Sequence, residues 1–254
     1  MKIFTNGHNL YFEQAGPENG PAVVLLHHGL GSVRAWRGQV PALAGAGFRV
    51  VVYDRWGYGE SDSRPGLDVP SFSIDVNDLE CLLEQIGIQR AALIGHSDGG
   101  TIALYFSAQQ PMKVSCLVTV AAHIYIETKM EPGILGISQA FETDERFRMG
   151  MQVAHDEKFT QVFQNWYQGW HRSDILAWDM RPVISQIICP ALIVQGDADE
   201  HATPQHAMDI AGSIEGADLW LVPGANHMLP QENSAEFNTK ILQFLSDHIM
   251  VEQN

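Results

Sequence analysis

The sequence has 254 residues, of which 45% are hydrophobic and 18% charged, a balance typical of a globular protein and not of a disordered chain. Its 30 acidic residues against 15 Lys and Arg residues give a formal net charge of -15. This balance excludes the basic surface of a nucleic-acid-binding protein. A negative field favours cationic ligands, but solubility alone explains the acidity just as well.

Neither the cysteines nor the apolar stretches indicate export or a membrane. Cys81, Cys116 and Cys189 have no spacing typical of a metal site or a disulfide framework, which suits a reducing cytoplasm. Residues 1–20 contain no apolar core of signal-peptide length, and no window reaches the about 18 apolar residues of a membrane span. We therefore expect a cytoplasmic protein with no membrane partner, and the sequence leaves its oligomeric state open.

The predicted elements begin with an antiparallel hairpin over residues 2–14, which alternate apolar and polar residues around the turn Asn6-Gly7. Short apolar runs, several of them apolar on successive residues, then predict strands covered on both faces. They are Ala22–His27, Phe48–Tyr53, Ala91–Gly95, Val114–Ala121, Ala191–Gln195 and Leu219–Val222. Helical patterns separate them at Val33–Gly45, Ile74–Ile86, Gly99–Gln109, Pro204–Ile214 and Ala235–His248. This alternation predicts a mostly parallel, doubly wound α/β sheet, with ligands beyond the carboxyl ends of its strands.

Residues 123–187 interrupt this rhythm, since they are rich in Met, Trp and Phe at helical spacings and contain no core strand. We interpret them as a helical cap inserted into an α/β core formed by residues 1–122 and 188–254. Trp166, Tyr167, Trp170 and Trp178 are candidates for lining a substrate pocket. The alternative is that these aromatic residues only hold the cap together.

The strongest chemical signal is Gly95-His96-Ser97-Asp98-Gly99, directly after an apolar strand and directly before a helical run. A nucleophilic Ser at such a turn occupies a strained corner, and small residues two places to either side permit the close approach that the corner requires. The alternative is a Gly-rich turn with a solvent-exposed Ser. The position between strand and helix favours Ser97 as a nucleophile.

A Ser nucleophile needs a base, and a third group that orients the base. His227 follows the strand that ends near Val222, and two acids, Asp197 and Asp199, follow the strand that ends at Gln195. Because both loops start at carboxyl ends of strands, we expect His227 to be the base and one of these acids to orient it. His201 and His206 are the nearest alternatives to His227.

The oxyanion of an acyl-transfer intermediate needs preorganised N–H donors. The backbone N–H of Asp98, at the start of a helix, is one candidate. Leu30, in the loop His28-Gly29-Leu30-Gly31 after the first parallel strand, is the candidate for the second. The alternative is that this loop is only a Gly-rich turn between strand and helix.

Together these segments resemble the α/β-hydrolase family along the whole chain. The matching pieces are His28-Gly29, Asp54-x-x-Gly57-x-Gly59-x-Ser61, the turn at Ser97, Gly196-x-x-Asp199 and Gly224-x-x-His227. Within the family the sequence is most similar to the valacyclovir hydrolase (biphenyl hydrolase-like) group. That likeness lies in Ser97-Asp98-Gly99-Gly100, Cys189–Val194 and the aromatic stretch Phe163–Trp170.

The resemblance implies specific roles. The family pattern selects Asp199 over Asp197 as the acid that orients His227, and the group uses the acid matching Asp98 to bind the α-amino group of aminoacyl esters. Two features depart from the family pattern. Glu200-His201 stands where apolar or prolyl residues are usual after the acid, and His27-His28 stands where one His is common.

The sequence therefore predicts a serine hydrolase that cleaves small-molecule carboxylic esters, including aminoacyl esters, through an acyl-enzyme. We expect Ser97, Asp199 and His227 as catalytic residues, Leu30 and Asp98 as the oxyanion hole, and Asp98, Trp166 and Trp170 as substrate-binding residues. No cofactor or metal is expected. The same machinery would serve a lactonase, a thioesterase, an amidase or a hydrolase of carbon–carbon bonds, and a non-catalytic ligand receptor is the alternative from another class.

Overall fold

The computed structural model describes residues 1–249, in which eight strands form one sheet. The strands are β1 (Lys2–Thr5), β2 (His8–Ala15), β3 (Ala22–Leu26), β4 (Arg49–Tyr53), β5 (Ala91–His96), β6 (Val114–Val120), β7 (Ala191–Gly196) and β8 (Asp218–Val222). Their order across the sheet is β1-β2-β4-β3-β5-β6-β7-β8. Only the pairs β1–β2 and β2–β4 in this described sheet are antiparallel. The predicted mostly parallel α/β sheet is confirmed.

Helices cover both faces of the sheet. They are α1 (Val40–Gly45), α2 (Ser73–Gln85), α3 (Asp98–Gln109), α4 (Met130–Thr143), α5 (Glu145–His155), α6 (Phe159–Trp170), α7 (Arg181–Ile184), α8 (Gln205–Ser213), α9 (Leu229–Glu232) and α10 (Ser234–His248). Successive residues of one strand point to opposite faces of the sheet and pack in different hydrophobic cores. Val24 packs in the cluster that contains Leu79 of α2, whereas Val23 packs in the cluster that contains Phe237 of α10. This two-sided burial explains why the central strands are apolar on successive residues.

One predicted helix differs from the structure. The pattern over residues 33–45 predicts a single helix, but the chain forms a short 3-10 helix at Val33–Trp36 and then α1 from Val40. Pro41 has no N–H to donate, and its ring clashes with the carbonyl group four residues earlier, so a helix begins at such a residue instead of passing through it. The hydrophobic period continues across this break because both pieces cover the same face of the sheet.

The strand register brings three loops to one edge of the sheet. Leu26 of β3 is paired with Gly95 of β5, and His96 of β5 is paired with Val120 of β6. The segments that follow these strands therefore start side by side at their carboxyl ends. In open α/β sheets, the ligand-binding site is expected at this edge.

Between β6 and β7 the main sheet gains no strand within the described residues, and the chain forms α4, α5, α6 and α7. A single bridge between Tyr125 and Asp179 ties the beginning of this segment to its end. Residues of α4, α5 and α6 line the same cavity as Ser97. Within residues 1–249, no helix combines the length and the apolar character that crossing a membrane requires.

Candidate active site

Ser97 connects β5 to α3 in a backbone conformation that L-residues rarely adopt, with φ 54° and ψ -120°. Such conformations cost about 1–3 kcal/mol and persist where the surroundings enforce them. Gly95 and Gly99 permit the turn, because a Cβ at Gly95 would meet the backbone of Gly99, and one at Gly99 would meet the backbone of Leu26. Ser97 is buried and lines a cavity of about 490 Å³.

His227, which lines this cavity, is hydrogen-bonded to Asp199 behind the cavity wall. The Nδ1–H of His227 donates to Oδ2 of Asp199 at 2.9 Å, and Gln195 Nε2 donates to the same oxygen at 2.7 Å. Oδ1 of Asp199 accepts from the backbone N–H groups of His201 at 2.7 Å and Ala202 at 3.2 Å. Burial raises the pKa of Asp199, but the His227 imidazole and these hydrogen bonds outweigh it and hold the pKa below its ordinary value. Asp199 is therefore ionised at neutral pH.

The other candidate acid is occupied elsewhere. Oδ1 of Asp197 accepts a hydrogen bond of 2.6 Å from the backbone N–H of Gly224, and the side chain lies at the surface. The structure thus brings Asp199, and not Asp197, to the His227 imidazole.

The Ser97 and His227 side chains share the wall of the cavity. Within the described residues no hydrogen bond joins Ser97 Oγ to His227, whose one side-chain hydrogen bond goes to Asp199. Catalytic hydrogen bonds of this kind are often long before substrate binds. The backbone of His227 is held independently, since its carbonyl oxygen accepts from His96 Nε2 at 2.8 Å and its N–H donates to Glu200 Oε2 at 3.1 Å.

Both candidate oxyanion donors lie at the cavity. Asp98 is the first residue of α3, so its N–H has no partner within the helix. Leu30 lines the cavity, and its N–H makes only a long contact of 3.4 Å with His28 Nδ1. Its carbonyl oxygen accepts from Nε2 of His155, the last residue of α5, at 3.0 Å. His155 thereby fixes the peptide group that follows Leu30 in this loop.

The Asp98 carboxylate is 2% exposed and has two partners. Trp170 Nε1 donates to Oδ1 at 3.2 Å, and Arg55 Nη2 lies 3.5 Å from Oδ2. Burial raises the pKa of Asp98, and the Arg55 guanidinium acts in the opposite direction. A Cβ at Gly29 would lie 2.9 Å from Oδ2 and would also touch Trp166 Nε1, so glycine is required for this close packing.

Arg55 extends the charge cluster away from the cavity. Its Nη1 lies 3.6 Å from Oδ1 of Asp75, whose Oδ2 accepts from Arg64 at 2.8 Å. Arg64 also pairs with Asp68. The Nε and Nη1 atoms of Arg55 are buried without a hydrogen-bond partner in the described structure. The two guanidinium groups face three carboxylates, so the cluster carries one surplus negative charge when all five groups are ionised.

The cavity wall is largely apolar. Trp166 and Trp170 line it, as the sequence predicts, whereas Tyr167 and Trp178 lie outside it. Trp178 Nε1 donates to Tyr105 Oη at 2.9 Å, and Tyr167 stacks on His171. The other apolar side chains of the wall are Leu30, Met228 and five residues of α4 and α5, namely Met130, Ile134, Ile137, Phe147 and Met151. A small molecule with an apolar group fits such a surface better than a highly charged one.

Sequence reasoning missed several residues of the site, among them Arg55, His155 and Gln195. Arg55 follows a buried strand inside the Asp54-x-x-Gly57 motif, and a charged residue there is a usable signal. His155 carries no such signal, because it contacts Leu30 from 125 positions away. No group of three or more His, Cys, Asp or Glu side chains in residues 1–249 is arranged to hold a metal ion.

A mostly parallel sheet with a buried Ser on a strained turn after β5, and with a His and an acid on the loops after β8 and β7, defines an α/β hydrolase. The sequence model of the alpha/beta hydrolase fold family matches residues 21–176. The chain belongs to this family.

Known proteins that resemble the chain include several hydrolases. Serine hydrolase BPHL of Homo sapiens is 31% identical over 250 residues, covering 96% of this chain and 85% of the human protein. Bifunctional epoxide hydrolase 2 of Sus scrofa is 26% identical, covering 94% of this chain and 53% of that protein. The crystal structure of the enol-lactonase from Burkholderia xenovorans LB400 superposes with a TM-score of 0.78 at 23% identity, covering 97% of this chain and 100% of that chain. The predicted likeness to the biphenyl hydrolase-like group is confirmed.

Proposed function

We propose that the protein hydrolyses carboxylic esters of small molecules through an acyl-enzyme at Ser97. The observation that carries the proposal is the 2.9 Å hydrogen bond from His227 Nδ1 to Asp199, in one site with a Ser on a strained turn. With Nδ1 protonated and bound to an ionised acid, Nε2 of His227 is the free, basic nitrogen. This is the tautomer that a general base requires.

The proposed reaction has two halves. Ser97 Oγ attacks the acyl carbon while His227 Nε2 takes the hydroxyl proton, and the N–H groups of Leu30 and Asp98 bind the oxyanion. His227 then returns the proton to the departing alcohol, which leaves an acyl ester on Ser97. Water, deprotonated by the same nitrogen, releases the acid and restores Ser97. No cofactor takes part in these steps.

The bond type is inferred from the nucleophile. A Ser that opened an epoxide would form an ether, which a triad cannot hydrolyse, whereas an acylated Ser is an ester that water can attack. Lactones and thioesters form the same acyl-enzyme and are alternatives within this chemistry, as are amides and carbon–carbon bonds next to a carbonyl group. A ligand receptor would not need an ionised, fully hydrogen-bonded Asp199 beneath its His.

For the substrate class we propose esters of amino acids. Support comes from the Asp98 carboxylate, which lies at the cavity next to Ser97, and from the one surplus negative charge that its cluster carries when all five of its groups are ionised. An ammonium group one carbon away from the acyl carbon would neutralise that charge. We also propose that residues 123–187 act as a cap, because α4, α5 and α6 supply most of the apolar wall.

The test is labelling by a fluorophosphonate, followed by a panel of substrates. Fluorophosphonates react with an activated Ser, so stoichiometric labelling of Ser97 is expected in the wild type and none in Ser97→Ala. Absence of labelling would favour the receptor. A panel of p-nitrophenyl, aminoacyl, aryl, lactone and thioester substrates then ranks kcat/KM, and a lactone or thioester at the top of that ranking would overturn the ester assignment.

A further inference from the structure

Glu200 and His201, which form one of the two departures from the family pattern, both contact His227. The backbone N–H of His201 donates to Asp199 Oδ1 at 2.7 Å. The ring of His201 lies edge-on to the ring of His227, with centroids 4.7 Å apart and an interplanar angle of 85°. His201 thus contacts the acid with its backbone and the base with its side chain.

The first turn of α4 packs directly on His201. A Cβ at Gly133 would lie 2.5 Å from His201 Nδ1, so only glycine permits the observed position of the ring. Just before α4, Lys129 Nζ donates to the carbonyl oxygens of Asp199 and Ala202, the latter at 3.3 Å. These contacts join the start of α4 to the loop that carries the catalytic acid.

The ring of His227 needs a lateral support of this kind. Torsion about the Cβ–Cγ bond of a His is broad, and the hydrogen bond to Asp199 holds only one ring nitrogen. Rotation would move Nε2 away from Ser97, and a misplacement of about 1 Å costs about 100-fold in rate. A flat side chain placed edge-on to the His227 ring restricts this rotation.

We infer that His201 is a positioning residue, which confines the His227 imidazole between Asp199 and α4, and that Gly133 is required for it to do so. The inference relies on the proposed function, because it assigns His227 as the base. Through Gly133 and His201, the packing of α4 over the cavity also affects the orientation of the His227 ring.

The charges around His201 agree with a packing role. Burial and the neighbouring His227 lower the pKa of His201 to about 4, while Glu200 and Asp199 act in the opposite direction and Lys129 adds to the lowering. His201 is therefore neutral at neutral pH and places no positive charge beside the imidazolium that His227 forms during the reaction. A neutral, flat side chain is what the role requires.

The experiment uses five variants of the full chain: His201→Ala, His201→Phe, Gly133→Ala, Gly136→Ala and the double variant Gly133→Ala/His201→Ala. Gly136 is the matched control, since it lies one turn further along α4 and a Cβ there meets nothing within 4 Å. Each variant is assayed for the rate of Ser97 labelling by a fluorophosphonate, and for kcat and KM on an ester that the wild type hydrolyses. Circular dichroism and thermal unfolding check the fold.

We expect His201→Ala and Gly133→Ala each to lower kcat and the labelling rate about tenfold or more with little change in KM, as misplacement of the base predicts. Gly136→Ala should match the wild type, and His201→Phe should recover most of the lost rate because it keeps a flat ring. The double variant should be no slower than His201→Ala, since Gly133 acts through His201. A proton-carrying role for His201 would instead make His201→Phe as slow as His201→Ala and would overturn the inference.

Other outcomes separate the two proposals. A wild type that is not labelled at Ser97 overturns the proposed function, and this inference with it. A labelled wild type with a normal rate in His201→Ala, or losses that multiply in the double variant, overturns this inference alone. If Gly133→Ala does not fold, the comparison of His201→Ala with His201→Phe still decides, because His201 is partly exposed and its side chain can be removed.

Discussion

Trp170 Nε1 donates a 3.2 Å hydrogen bond to Oδ1 of Asp98, and both residues line the cavity beside Ser97. The indole therefore orients the carboxylate, while the Arg55 guanidinium lies 3.5 Å from the other oxygen. A contact of that length leaves Oδ2 incompletely paired. The ammonium group of the proposed aminoacyl substrate would complete the pairing of Oδ2.

Asp98→Asn should therefore separate two substrate classes. We expect kcat/KM for aminoacyl esters to fall at least about tenfold, because loss of one member of a buried charge pair costs about 2–5 kcal/mol. Plain short-chain acyl esters should be largely spared, since the backbone N–H at this position remains. Asn has the size of Asp, so the change removes the charge and not the bulk. Equal losses for both classes in Asp98→Asn would show that Asp98 only supports the turn.

Ser97→Ala and Ser97→Gly should both abolish turnover, with losses of about 10³-fold or more in kcat. The two variants should differ in stability. Ala keeps a Cβ at φ 54°, whereas Gly relieves the strain, so Ser97→Gly should be the more stable by about 1 kcal/mol. Denaturant unfolding measures this difference, and equal stabilities would show that the strain does not exceed the about 0.4–1 kcal/mol by which Gly destabilises through the unfolded chain.

Asp199→Asn should lower kcat far more than Asp197→Asn. An amide at position 199 would favour the wrong tautomer of His227, a change that costs about 10⁴-fold in such triads. At position 197 an amide oxygen still accepts from Gly224, so kcat should stay near that of the wild type. Steady-state kinetics of the two purified variants decides between the acids, and the reverse ranking would contradict the proposed triad.

Buried histidines should make the protein sensitive to acid. Burial is the main cause that lowers the pKa of seven of them, namely His27, His28, His96, His123, His155, His201 and His206. The lowered values include about 3 for His96 and about 4 for His155. In the unfolded chain each titrates near its ordinary value of about 6.5, so the unfolded state binds more protons below that pH.

The free energy of unfolding should consequently fall as the pH drops from about 6.5 towards about 4, by up to about 1.4 kcal/mol per pH unit for each such His. Burial raises the pKa of Asp54, Asp78 and Asp98, and these three carboxyls act in the opposite direction. The seven histidines outnumber these three carboxyls, so we expect the net effect of acid to be a lower free energy of unfolding. Denaturant midpoints measured across this range test the sign, and a midpoint that rises with acidification would contradict it.

The order of the elements and the chemistry of the loops could be predicted from the sequence. Strand bounds such as Ala91–Gly95 agree within one residue with β5, because apolar runs and the glycines around Ser97 act over a few neighbouring positions. The helix over residues 33–45 was predicted wrongly as one piece, since Pro41 is a local signal that the hydrophobic period concealed. The same local signals singled out Ser97 and His227 and narrowed the acid to Asp197 or Asp199, and the resemblance to the α/β-hydrolase family selected Asp199.

The partners of those residues depended on the folded chain. Arg55 reaches Asp98 across 43 positions, Trp170 reaches it across 72, and Gly133 of α4 meets His201 of the loop after β7. No spacing in the sequence predicts such contacts, because each depends on how two elements pack and on the side-chain volume between them. Local propensity and hydrophobic period specify the elements and the residues on their loops. The burial that raises the pKa of Asp98, lowers the pKa of the histidines and packs His201 against His227 arises only when distant segments exclude water together.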